Sequence, residues 1–249
     1  MAIGDNSSFL YEYQLDNNNL KRHELAENSE ENIPKKLKPD FEAMTKYQDT
    51  LYIFGSGSTE NRNTMVQVNA KTKEVIQSQD LSGLYLAMQS FGKISPEDFN
   101  LEGAIYDGKT WYLFNRGNGK TNKNVAFTID GKNLTNEFRL VANEYKLPKI
   151  KGIRTSFTDA ILVDDKIYFL ATAENTDSTY NDGEVLGSIV GRIDVKKMKI
   201  DFTEKITDTH KFEGITLFKN SEKEIEFLLC EDNDTEVLES TIFKLVISK

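Results

Sequence analysis

Four segments of this chain read alike, at a spacing that admits few folds. They are "PDFEAMTKY" (39–47), "FNLEGAIYD" (99–107), "SFTDAILVD" (156–164) and "HKFEGITLF" (210–218). Aligned, they put Glu42, Glu102, Asp159 and Glu213 in one column, at intervals of 60, 57 and 54 residues. Each acid is followed by a small residue: Ala43, Gly103, Ala160 and Gly214. A period of this kind marks a series of like units, because one unit alone cannot bury its apolar face.

The rest of each unit repeats too. A polar turn follows ("YQDT", "YDGKT", "VDDK", "KNSEKE"), then a dense apolar strand ("LYIF", "WYLF", "IYFL", "EFLL"). Polar loops come next: "GSGSTENR", "NRGNGKTNKN", "ATAENTDSTYNDGEVLGS" and "CEDNDTEVLES". A third strand follows in "TMVQVN", "NVAFTID", "SIVGRIDV" and "STIFKLVIS", and the first three units add a fourth in "EVIQSQDL", "NEFRLV" and "KIDFTEKI". Four short strands with turn signals, repeated at this period, describe the blade of an all-β β-propeller occupying residues 1–249 as one domain. "SGLYLAMQSF" (Ser82–Phe91) has apolar residues at helical spacing and predicts a short helix between blades.

The N-terminus admits two readings. "FLYEYQL" (Phe9–Leu15) and "LKRHEL" (Leu20–Leu25) look like third and fourth strands without a first and second. Either the propeller has five blades with an incomplete N-terminal blade, or it has four, closed by an N-terminal strand that pairs with the last blade and removes exposed edges. The five-blade reading is preferred.

"KPDFEAM", "GSGSTENR", "LEGA", "NRGNG", "SFTDA" and "KFEGI" together resemble a bacterial family of uncharacterised propeller-type proteins, across essentially the whole chain. The resemblance implies a further strand pair ahead of "GDN", which favours the incomplete-blade reading. More distantly, the "EG" opening of an inner strand is similar to phytase-like and gluconolactonase-type propellers. That likeness implies an axial or top-face pocket holding a metal ion, often calcium, and implies no specific activity.

In a propeller the acids at the starts of inner strands should share one face with the loops from second to third strands. Glu42, Glu102, Asp159 and Glu213 are thus expected to form a ring. Around it should lie Ser56, Ser58, Arg62, Asn115, Arg116, Asn118, Glu174, Asn175, Asp232 and Asp234, with Asp5 and Asn6 serving the fifth blade. Two carboxylates about 6 Å apart at an effective dielectric of about 20 repel by roughly 3 kcal/mol. Such a ring needs a cation, arginines or raised pKa values. Oxygen donors without His or Cys favour calcium or magnesium. The metal ligands expected are Glu42, Glu102, Asp159, Glu213, Glu174 and Asp232, with Ser56, Ser58, Arg62, Asn115 and Arg116 contacting a small-molecule ligand. The plainer reading is that a repeated acid is structural, accepting backbone N–H bonds from a neighbouring blade.

Two functions follow. A carboxylate-held metal would activate water against a phosphoester, ester or lactone, with Arg62 and Arg116 clamping an anionic group. Alternatively, the loop face grips a ligand or protein and the acids are structural. The net charge of −9, without a basic cluster interleaved with aromatics, argues against nucleic acid. The one basic run, "IPKKLKP" (Ile33–Pro39), reads as a solvated linker. Without an 18-residue apolar span or a signal-peptide pattern, no membrane partner and a cytoplasmic location are expected. Cys230, in "IEFLLCED", reads as a structural thiol on a buried strand, and His23 and His210 as surface or structural groups. "FNRGNGKT" lacks the first glycine of a phosphate loop, "GSGS" lacks the helix of a dinucleotide fingerprint and reads as a flexible loop, and "DNDTEVLE" lacks the central glycine of an EF-hand.

Overall fold

The computed structural model describes residues 1–176, 183–232 and 240–249, so Asp234 lies outside the described residues. The chain is an all-β β-propeller whose blades are small antiparallel sheets, five among the described residues. It divides into two compact units, Met1–Leu113 with Phe127–Ala142, and Phe114–Ala126 with Asn143–Lys249.

The first unit opens with a two-stranded sheet, β1 (Phe9–Gln14) and β2 (Asn19–Glu24). These strands pair with each other. The next blade is β3 (Phe41–Tyr47), β4 (Thr50–Gly55), β5 (Thr64–Asn69) and β6 (Val75–Asp80), in that order. Leu10 and Leu25 pack against Phe41, Leu51, Ile53, Val66 and Val68, so the two-stranded sheet is held by apolar burial on the second. Each such side chain contributes about 1.5–3 kcal/mol. Helix α1 (Ser82–Gly92) follows, covering the predicted segment.

"GSGS" is no flexible loop. Ser56 is wholly buried, and the Tyr85 hydroxyl of α1 donates to the Gly55 carbonyl at 2.7 Å. Gly57 has φ +74°, and a Cβ there would lie 2.5 Å from the Tyr85 ring and 2.6 Å from that of Phe99. Glycine is required because helix and turn meet too closely for any side chain.

The following sheet is β7 (Leu101–Tyr106), β8 (Thr110–Asn115), β9 (Asn124–Asp130) and β10 (Arg139–Tyr145), and the division between units runs through it. β10 begins three residues beyond the start of the predicted "NEFRLV" strand. In the second unit β11 (Lys149–Ile150), β12 (Ile153–Val163), β13 (Lys166–Asn175), β14 (Glu184–Asp194) and β15 (Lys199–Thr207) form one sheet. β16 (Phe212–Asn220), β17 (Glu224–Glu231) and β18 (Ile242–Ser248) form the last. Tyr168, Leu170 and Val190 pack against Phe212, Ile215, Phe227 and Leu229, joining these two sheets.

The long loop expected from Ala171 is partly strand. β13 runs to Asn175 and β14 starts at Glu184, so Glu174 and Asn175 sit in the ladder, opposite Val185 and Glu184. Polar composition misled here, because Ala171, Thr172, Ala173 and Glu174 are all buried and their backbone must be paired. No described helix is long and apolar enough to cross a membrane.

Candidate functional site

Strand register decides where the repeated acids point. In β3 the pairing jumps from Phe41–Gly55 to Ala43–Phe54, leaving Glu42 as the extra residue of a β-bulge. In β16 it jumps from Phe212–Glu231 to Gly214–Cys230, leaving Glu213. In β12 it jumps from Phe157–Ala171 to Asp159–Leu170, and the extra residue is Thr158. By register, Thr158 is the counterpart of Glu42 and Glu213, and the sequence column is off by one in that blade. A one-residue slip turns a side chain to the other face of the sheet, so Asp159 does different work. Its Oδ1 accepts the N–H of Ala160 at 2.7 Å and its Oδ2 that of Ile215 in β16 at 2.8 Å. Thr158 donates its hydroxyl to the Phe212 carbonyl at 2.6 Å.

In the first unit Asp5, Asp40 and Glu42 each bring a carboxylate oxygen within 4.8 Å of the others. Asp40 was not foreseen; it follows Pro39 and enters β3 at φ +55°, a conformation Asp tolerates. Its carboxylate is heavily used. Oδ1 faces the Lys38 ammonium at 2.7 Å. Oδ2 accepts from Arg62 at 2.8 Å, Ser56 at 2.5 Å and Ser58 at 3.3 Å. Lys38 also bonds Asp5. Burial alone would lower the Lys38 pKa, but the Asp40 and Asp5 carboxylates outweigh it and hold the ammonium above its ordinary value. Arg62 further donates to Ser58 Oγ at 2.7 Å and to the Lys35 carbonyl at 2.6 Å.

Those three carboxylates match a hard divalent cation in donor type. The geometry fits one poorly. Lys38 bridges Asp5 and Asp40, so an ion on the same oxygens would lie about 4 Å from a fixed positive charge, a repulsion of about 8 kcal/mol at an effective dielectric of about 20.

The second unit holds a parallel arrangement. Arg116 donates to Glu174 at 2.7 Å and lies 3.6 Å from Glu213. Lys211, which is 4% exposed, lies 3.1 Å from Glu213 and 3.4 Å from Asp232. Glu174 also accepts the Gly183 N–H at 3.2 Å. Desolvation would lower the Lys211 pKa; Glu213 chiefly, then Asp232 and Glu174, raise it above the ordinary lysine value. Two buried cations thus face three carboxylates in each unit. Lys38 was missed because it closes the basic run read as a solvated linker, whereas it is buried against Asp5 and Asp40, and Lys211 because a lone Lys two residues from an acid looks like surface.

The remaining expected residues go elsewhere. Glu102, 2% exposed in β7, accepts from the Asn100 amide at 2.6 Å. Asn115 is wholly buried and donates to the carbonyls of Arg116 and Lys123 at 3.0 Å, pinning the loop beyond β8. Asn124, not singled out from sequence, is equally buried. Its amide donates to the Thr155 carbonyl at 3.0 Å, and its oxygen accepts from Gly117 and Phe157. Glu42 and Glu102 belong to the first unit, and Asp159 and Glu213 to the second.

Neither described serine of the first cluster is set as a nucleophile, since Ser56 and Ser58 hydrogen-bond a carboxylate rather than an imidazole. The Cys230 thiol is pushed up to about 11 by burial, with Asp159 and Glu213 adding to the shift, which keeps it protonated and inert.

No curated protein matches this sequence. Among solved structures, a glycoside hydrolase family 43 arabinoxylan arabinofuranohydrolase from Bacillus subtilis is similar at 13% identity and TM-score 0.47, covering 82% of this chain and 48% of its own. An alpha-L-arabinofuranosidase from Clostridium thermocellum is similar at 14% identity and TM-score 0.48, covering 84% of this chain and 68% of its own. At such scores the likeness carries no functional inference. This chain spans about half the length of the first. A family model described as a family of unknown function (DUF6929) matches residues 1–247.

Proposed function

The chain belongs to the DUF6929 family of unknown function, and from that premise we propose that it is a binding propeller for a small polar ligand, whose acids serve structure and recognition without a metal ion. The observation that carries this reading is the Lys38 ammonium between Asp5 and Asp40. Positive charge is the one thing a set of close carboxylates lacks, and Lys38 with Arg62 provides it from the chain itself. Arg116 and Lys211 do the same for Glu174, Glu213 and Asp232. Buried groups already engaged with each other give a rigid polar surface suited to recognition, whereas a hydrolase needs an open metal position or a tuned base.

The test is thermal unfolding of the intact protein in calcium, in magnesium and in chelator, with metal content measured on the purified sample. The expected result is one melting temperature in all three and a substoichiometric metal content.

A second reading, metal-dependent hydrolysis of a phosphoester, ester or lactone, is favoured by the approach of the Asp5, Asp40 and Glu42 oxygens to within 4.8 Å. Calcium or magnesium would then displace Lys38 and stabilise by RT ln(1 + [L]/Kd), about 2.7 kcal/mol at one hundred times Kd. A melting temperature that rises with the ion, and metal-dependent turnover in a substrate panel, would establish that reading instead.

A further inference from the structure

We propose that the cleft bordered by Thr209, His210, Lys211 and Glu231 in the second unit binds a neutral polyhydroxylated small molecule, with His210 as its principal polar contact. The proposal rests on the binding-propeller reading and gives it a place and a ligand class.

The cleft is open to one side and has a volume of about 480 Å³, room for a molecule of monosaccharide size. His210 Nδ1 donates to Glu231 Oε2 at 2.5 Å. That bond places a proton on Nδ1 and leaves Nε2 as the ring's remaining polar atom. Among the described residues Nε2 has no hydrogen-bond partner. The ring packs on a pair of touching aromatic rings, stacked with Phe212 at 5.6 Å and tilted against Phe243 at 4.8 Å. Its backbone is tied down as well, the His210 carbonyl accepting from Ser188 Oγ at 2.7 Å. With 39% of its side chain exposed, His210 borders the cleft. An imidazole oriented by a carboxylate and packed on two aromatic rings is pre-organised, which lowers the ordering cost of binding.

Charge selects the ligand. Glu231 and Asp232 bring two negative charges, and Lys211 returns one positive charge that lies 3.1 Å from Glu213. The rim is therefore hostile to phosphates and carboxylates. Hydroxyl groups, which both donate and accept, can bond Nε2, donate to the carboxylates and accept from Thr209.

The probes are xylose, glucose and glycerol, with glucose 6-phosphate and a simple alkylamine as opposed-charge arms, followed by imidazole NMR on the full chain. His23, in the first unit and paired with Glu12, is the internal control. Expected are a saturable shift of the His210 Nε2 signal with at least one neutral polyol, no movement of His23, and weaker binding of the phosphate and amine. Glu231→Gln should weaken binding about tenfold, the equivalent of about 1.4 kcal/mol, and His210→Ala should abolish it. An unmoved His210 signal with every polyol, or tighter binding of the phosphate or amine, overturns the proposal. Polyol shifts confined to residues around Lys38 and Arg62 overturn it while leaving the binding-propeller reading intact. A calcium-dependent rise in melting temperature overturns that reading and leaves the His210 result standing.

Discussion

Asp159 in β12 accepts the backbone N–H of Ile215 in β16 across the boundary between two sheets, at 2.8 Å. The same carboxylate takes the N–H of Ala160 at 2.7 Å, so its two oxygens close a strap between neighbouring blades. A sheet-to-sheet joint made by side-chain packing has no directional component. A carboxylate bonded to a main-chain donor sets the register of one sheet on the next, and charge-assisted bonds of this type are the stronger ones.

Asp159→Ala therefore removes an acceptor from two backbone donors. An unsatisfied buried donor costs about 1–3 kcal/mol. At about 2 kcal/mol in all, the melting temperature of a chain this long should fall by about 4–8 °C, with ligand binding unchanged. Unaltered thermal unfolding would mean that water replaces both bonds.

The fold was legible because the acid-strand-turn-strand period is long, regular and apolar at the right places. β5 and β9 coincide with the third-strand segments, and α1 with the helical spacing of Leu84, Ala87, Met88 and Phe91. Register was not legible. "SFTDA" and "KFEGI" align equally well by acid or by phenylalanine, and only the pairing of Phe157 with Ala171 and Phe212 with Glu231 shows that Thr158 matches Glu213. The site was half legible for a similar reason. Acid repetition pointed to Glu42 and Glu213, but which cation would neutralise them depends on approach through space. Lys38 and Lys211 are 8% and 4% exposed, a burial that lysine accepts when paired and that no local pattern announces.

Lys38→Met tests the neutralising role directly. Removing one partner of a buried ion pair costs about 3–5 kcal/mol, because the carboxylates remain without their counter-charge. The variant should unfold at lower temperature than the native protein. It should also acquire what the binding-propeller reading denies the native protein, a melting temperature that rises with added calcium, since Asp5, Asp40 and Glu42 then offer oxygens free of the ammonium. A variant destabilised but indifferent to calcium would show that these oxygens cannot gather around an ion even when vacated.

Alkaline titration probes Lys38 and Lys211 together. Both are raised above the ordinary value of 10.5 in the folded protein. The folded state then holds protons that the unfolded state releases, so the stabilisation is complete below about pH 10.5 and declines as pH rises beyond it. The decline is at most about 1.4 kcal/mol per pH unit for each lysine. Buried tyrosines act in the same direction, Tyr145 being pushed up to about 12 by desolvation, so the comparison must be made with a variant. Denaturant unfolding of the native protein should lose stability more steeply between pH 10 and 11.5 than that of Lys211→Met. Parallel curves would show that Lys211 does not keep its proton in the folded state.

Gly214 and Cys230 face each other in the β16–β17 ladder. A Cβ on Gly214 would fall 2.3 Å from the Cys230 sulfur, so the small residue that follows Glu213 is set by the thiol opposite it. Gly214→Ala should cost about 1–3 kcal/mol through overpacking. Cys230→Ala removes the obstructing atom and should by itself cost little, because the thiol is protonated and serves as a small apolar group. In the double variant the clash has no second partner, so its stability should exceed the sum of the single effects by about 0.5–3 kcal/mol, the range found for residues in contact. Additive losses would place the cost of Gly214→Ala in the backbone of the bulge beside Glu213, and the glycine would then be required by strand geometry and not by the cysteine.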